Sequence, residues 1–159
     1  MRNSSLLSII FFIAIFHQNS KADLPQVTLP GNSSIAIQSA KGTRAFMLPG
    51  KIESYLINCN KNRLIAWGTP RHLTNQSPQS GFVSLFDLRK QSLIATRQTP
   101  KGVMSVNYLS DRNSAQLILG YSALINLKTG AIKYIEVSEE DTLEFELCPI
   151  FSGKSYSRQ

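Results

Sequence analysis

The sequence predicts an all-β fold of antiparallel hairpins in an exported chain, on three observations. An apolar run at the N-terminus has the length of a secretion signal. Almost every apolar stretch after Pro30 is short, rich in β-branched and aromatic residues and bounded by turn residues, and no window sustains helical spacing beyond two turns. The cysteines, Cys59 and Cys148, form an even pair.

The first element is the run Leu6 to Phe16, eleven apolar residues behind Arg2. Crossing a bilayer takes about 20 apolar residues, and this run stops at His17-Gln18-Asn19-Ser20-Lys21-Ala22. Ser20 and Ala22 occupy the small-residue positions before a cleavage point, so residues 1–22 are expected to be a signal peptide and 23–159 a single domain starting at Asp23. No Cys follows the run, so a lipid anchor is not indicated. The expected location is periplasmic or secreted, with no stable membrane span. Cleavage leaves 137 residues (159 minus 22), the size of one domain. In an oxidising compartment Cys59 and Cys148 are expected to pair, two buried free thiols being the alternative. Such a bridge would stabilise the fold by about 4 kcal/mol in the chain-entropy view.

The candidate strands are, in order, Ser34 to Gln38, Thr43 to Leu48, Ile52 to Cys59, Arg63 to Trp67, Gly81 to Leu88, Ser92 to Gln98, Val103 to Leu109, Ala115 to Leu119, Ser122 to Leu127, Ala131 to Val137 and Thr142 to Leu147. Between them, Pro49-Gly50-Lys51, Asn60-Lys61-Asn62, Arg89-Lys90-Gln91, Pro100-Lys101-Gly102, Asp111-Arg112-Asn113-Ser114 and Lys128-Thr129-Gly130 read as hairpin turns. Three segments repeat one pattern: Tyr55 to Ala66, Ser84 to Ala95 and Ala123 to Tyr134. Each has an apolar strand ending in Asn or Asp, a basic turn and an apolar restart. The strand-end residues Asn58, Asp87 and Asn126 are expected to bond their own turn backbones.

These three segments resemble the hairpins that join the outer strands of a β-propeller blade, as in WD-repeat proteins, although the Gly-His and Trp-Asp pairs of that family are missing. The second and third begin 39 residues apart, near the blade period of about 40, and the first and second 29 apart. A closed propeller takes at least about four blades. The expected architecture is therefore an incomplete β-propeller-like arrangement, a β-sandwich or an open barrel.

The mature chain carries 15 Lys and Arg against 10 Asp and Glu, a net charge of +5. Residues 23–135 hold thirteen cations and four anions, and residues 136–146 hold six anions and no cation. Export argues against nucleic acid as the partner; an acidic protein surface, anionic lipid or cell-wall polymer fits the charge better. Catalysis is poorly supplied. His17 leaves with the signal, so His72 is the one mature histidine a nucleophilic triad could use. No zinc-type spacing or Gly-rich phosphate loop is present. Glu144 and Glu146 alternate with Leu143, Phe145 and Leu147 as in a half-exposed strand, and Glu139-Glu140-Asp141 reads as a turn without the oxygen pattern of a calcium loop. The sequence therefore predicts no enzyme, no metal and no cofactor. Asn32 and Asn75 begin glycosylation sequons, which matter only in a eukaryotic source.

The longest gap, Gly68 to Ser80, is polar and carries two prolines between Trp67 and Phe82. Loops of this length are often functional, and Arg71, His72, Asn75, Gln76 and Ser77 are the candidate partner-binding residues, with Trp67 and Phe82 as supports. A small exported, disulfide-linked, hairpin-rich domain with such a loop is similar in layout to the periplasmic immunity proteins that neutralise cell-wall amidase effectors of type VI secretion. That resemblance implies a protein partner, a toxic hydrolase, whose cleft the loop would occupy. An accessory or scaffold protein of an envelope assembly and a secreted ligand-binding domain are the competing readings.

Overall fold

The computed structural model describes residues 25–72 and 79–148, and its strands follow one another as three consecutive antiparallel meanders. In the first sheet β1 (Gln26–Gly31), β2 (Ser34–Ser39) and β3 (Gly42–Met47) lie in sequence order. The second comprises β4 (Gly50–Ile57), β5 (Arg63–Pro70), β6 (Gly81–Asp87) and β7 (Ser92–Thr99). The third comprises β8 (Ser105–Tyr108), β9 (Ser114–Ile118), β10 (Ser122–Asn126) and β11 (Ile132–Tyr134). The all-β, antiparallel prediction holds, and the three sheets succeed one another in a blade-like layout rather than closing into a barrel.

The side-chain alternation of β5 and β6 explains why the sheets stack. Successive residues of a strand point to opposite faces, and here both faces are apolar. Leu64, Ala66, Phe82 and Phe86 join Ile35, Ile37, Leu48 and Ile52 in one core, between the first and second sheets. Ile65, Trp67, Val83 and Leu85 join Val106, Leu117, Ala123 and Ile125 in the other, between the second and third. All seven residues of β6 are buried. Burying a Leu, Ile or Phe side chain contributes roughly 1.5–3 kcal/mol, so this central hairpin, counted in both cores, is where most of the hydrophobic stabilisation meets.

Polar side chains tie the layers together. Gln91, buried in the β6–β7 turn, donates from Nε2 to the Ile37 and Gly42 carbonyls of the first sheet, at 2.9 and 2.7 Å. Arg97 Nε donates to the Gly130 carbonyl in the third sheet (3.2 Å), and the Tyr108 hydroxyl donates to the Leu56 carbonyl of β4 (3.1 Å). Burial pushes the Tyr108 phenol well above its ordinary range, reinforced by the Glu146 carboxylate. Gly130 has φ +69°, and a Cβ there would also collide with that of Ala95.

Several sequence expectations need correction. Pro49-Gly50-Lys51 and Pro100-Lys101-Gly102 are not hairpin turns: they carry the chain from the first sheet to the second and from the second to the third. Gln26–Gly31 is a strand, paired to β2, although Pro30 and the lack of any buried side chain hide it. At the other end, Glu139-Glu140-Asp141 belongs to a short helix, α1 (Val137–Glu140), and its C-cap. The expected strand Thr142 to Leu147 reduces to one bridge, Leu109 to Phe145, with Leu147 95% exposed. It lies beyond the edge of β8, outside both cores, so its alternation has no buried face to read. The crossing from β11 to β8 is marked by the ion pair of Lys133 with Glu139, at 3.5 Å. It ends in the predicted disulfide, Cys59 to Cys148, with Cα atoms 5.3 Å apart.

The expected signal segment and its cleavage point lie outside the described residues. Among those described, no helix is long and apolar enough to cross a membrane.

Candidate functional site

Strand direction gives the stack two ends. β5 runs from Arg63 at one to Pro70 at the other, and these ends carry different chemistry.

The loop end is where β5 stops and β6 begins. Arg71 and His72 are exposed there, as the sequence suggested, while Asn75, Gln76 and Ser77 lie outside the described residues. The departing strand is held: the Arg71 amide donates to the Pro49 carbonyl at 3.1 Å. The returning strand is held too, with Ser80 buried and Gly81 paired to Thr99, whose hydroxyl donates to the Lys101 carbonyl at 2.7 Å. Trp67 and Phe82 are both buried, in the two opposite cores, so the excursion is clamped from either side of the sheet. His72 borders a hollow of about 320 Å³ lined also by Pro49, Pro70, Phe82, Thr96 and Gln98. None of these described lining residues is a carboxylate or a thiol.

The turn end is more elaborate. Four turns are folded by Asn or Asp side chains bonding their own backbones, and three of these are the strand-end residues anticipated from sequence. Asn58 Oδ1 accepts from the Asn62 and Arg63 amides at 3.0 and 2.9 Å. Asp87 Oδ1 accepts from the Lys90 amide at 2.9 Å. Asn126 Oδ1 accepts from the Lys128 and Thr129 amides at 2.9 and 3.0 Å. The fourth, Asp111, does the same for Asn113 and Ser114. With the chain reversed this tightly, the turn side chains project together around a cleft of about 480 Å³. Its charged lining is Arg63, Lys90, Arg112 and Lys128 against the single carboxylate Asp87.

Arg63 is the fixed member of that set. Its Nε donates to the Leu127 carbonyl (3.1 Å), its NH1 to the Asn62 carbonyl (3.1 Å), and NH1 lies 3.0 Å from Asp87 Oδ2. Their side chains keep only 24% and 10% of their exposure, so the pair is sheltered and oriented by the fold. Sequence reasoning quoted the three basic turns but did not gather them; the usable signal was that all three leave their strands with the same polarity. The one described grouping of metal-type side chains, Cys59, Glu146 and Cys148, has its sulfurs spent on each other, and Glu146 Oε2 accepts from the Cys59 amide at 2.9 Å. It is a structural clasp.

Comparison with known proteins returns no matching family model and no matching curated protein.

Proposed function

We infer that the protein is an exported, non-enzymatic inhibitor of the immunity type, which blocks a toxic cell-wall hydrolase by placing the excursion after Pro70 in the enzyme's cleft. The observation that carries this reading is the mounting of the excursion: it leaves and re-enters through β5 and β6, the doubly buried strands of the molecule. Inserting a loop into another protein's active site loses least affinity to ordering when its stems are already rigid. A disulfide joining residues 89 positions apart supports an oxidising destination, periplasmic or secreted. Arg71 and His72 would supply donors to a polar active site; Asn75, Gln76 and Ser77 would complete the contact.

The test is capture from envelope extract with the tagged mature chain, followed by an activity assay of any hydrolase recovered. Stoichiometric capture and inhibition, both abolished when residues 71–78 are replaced by a short Gly-Ser linker, is the expected result. Recovery of several structural proteins and no hydrolase would replace the inhibitor by an envelope scaffold.

A further inference from the structure

We propose that the basic cleft at the turn end is a second binding site, taking an extended acidic peptide segment of a partner protein. Three features combine. Of the cations lining the cleft, Arg63 alone is matched by a carboxylate; Lys90, Arg112 and Lys128 have no ion pair to a described residue. The cleft therefore carries an excess of three positive charges within about 480 Å³. The charges sit on turns from two sheets that face one another across a concavity, which a narrow chain enters more readily than a flat bilayer does.

The third feature selects a peptide over a free anion. One wall of the cleft is the start of β7, Ser92 to Ile94, and β7 is the edge of its sheet. Its outer backbone groups pair with no described strand, and such an edge accepts an added extended segment through main-chain hydrogen bonds. Leu93 is exposed and Ile94 half-buried on that wall, and the register slips at Ile94 between Leu85 and Phe86. A segment alternating acidic and apolar residues would set its carboxylates toward the lysines and its apolar side chains against this wall. Lysine contacts of this kind act as point charges and give salt-dependent affinity.

The site is independent of the loop end and is tested without knowing any natural partner. A short fluorescein-labelled peptide alternating glutamate with valine is titrated with the full mature chain by fluorescence anisotropy. The variants are K90E/K128E and, at the opposite end of the sheets, K51E/K101E, which changes net charge equally. The expected result is saturable binding, weakened about tenfold or more in K90E/K128E and less than about twofold in K51E/K101E. The neutral pair K90Q/K128Q, expected to weaken binding severalfold, serves where charge reversal beside Asp87 disturbs folding. Equal losses in both reversed variants would show mere net-charge attraction and overturn the proposal, as would the absence of saturable binding. Pyrophosphate and phosphatidylglycerol vesicles are run alongside; tighter binding of either, lost in K90E/K128E, would assign the cleft to phosphate groups and equally reject the peptide.

Discussion

The two ends of the second sheet solve the problem of reversing the chain in opposite ways. At the turn end four reversals are short and closed by their own Asn or Asp side chains, and Gln91 and Arg63 carry hydrogen bonds from one sheet to the next. At the loop end ten residues separate β5 from β6, and the strands on either side are anchored by Trp67 and Phe82 in their cores. Stability is thus written into the turns at one end and into the stems of the excursion at the other. Changes at the turn end should alter folding, and changes in the excursion should alter only what it touches.

The largest effect should come from the clasp that fastens the C-terminal return to the turn end. Replacing Cys59 and Cys148 together by Ser removes the constraint on an 89-residue separation and should cost about 4 kcal/mol, read as a shift in the urea midpoint. A shift below about 1 kcal/mol would mean that the Glu146 and Phe145 contacts hold the return by themselves. Thiol labelling of the denatured, non-reduced protein should find no free cysteine.

Next in size is Asn58→Ala. Asn58 is buried and makes three side-chain hydrogen bonds, including Nδ2 to Asn62 Oδ1 at 2.8 Å, so its loss leaves the Asn62 and Arg63 amides without partners. The expected cost is about 2–3 kcal/mol. The equivalent change at exposed Asn126, where water can replace the lost acceptor, should cost about 1 kcal/mol. Similar losses at both sites would show that burial does not distinguish the two turns.

These turns also show how far the sequence could be read. The position of Asn58, Asp87 and Asn126 at strand ends was legible because a turn's chemistry is local: the side chain bonds amides two to five residues away. Ten of the eleven strands were legible for a similar reason, since short β-branched runs need no knowledge of their neighbours. Stacking was not. Phe82 and Val83 look alike in sequence, yet they serve different cores, and only the alternation of a strand buried on both faces separates them. Sheet-to-sheet links were mistaken for hairpins because Pro and Gly mark a change of direction without saying which strand comes next. The basic cleft was hidden for the same reason. Its cations come from positions 63 to 128, and their meeting depends on the order of the sheets.

A smaller effect tests the seam between the second and third sheets. Tyr108 is neutral in the fold and its phenol is raised by burial, whereas in the unfolded chain it titrates near pH 10. Its contribution is therefore complete below about pH 10 and falls as the pH rises above that value, because the unfolded state releases a proton that the native state retains. Tyr108→Phe should lose about 1 kcal/mol at neutral pH with the bond to the Leu56 carbonyl, and should flatten the decline of the urea midpoint above pH 10. A variant declining as steeply as the parent would place the alkaline sensitivity elsewhere.

The smallest effect is expected at the loop end, and it decides whether the contrast between the ends is real. Replacing residues 71–78 by a Gly-Ser linker of equal length removes Arg71 and His72, both exposed, and leaves Trp67, Ser80, Phe82 and the Gly81–Thr99 pairing in place. The one described tie inside the replaced stretch is a backbone bond, from the Arg71 amide to the Pro49 carbonyl, which any residue except proline can make. Folding stability should then change by less than about 0.5 kcal/mol, as for surface substitutions away from caps and cores. Phe82→Ala, by contrast, empties a fully buried site in the first core and should cost about 3–5 kcal/mol. If the linker variant instead loses as much as Phe82→Ala, the excursion is part of the packing, not a passenger on it. An inhibitory loop carried on rigid stems could not then be the reason for its length.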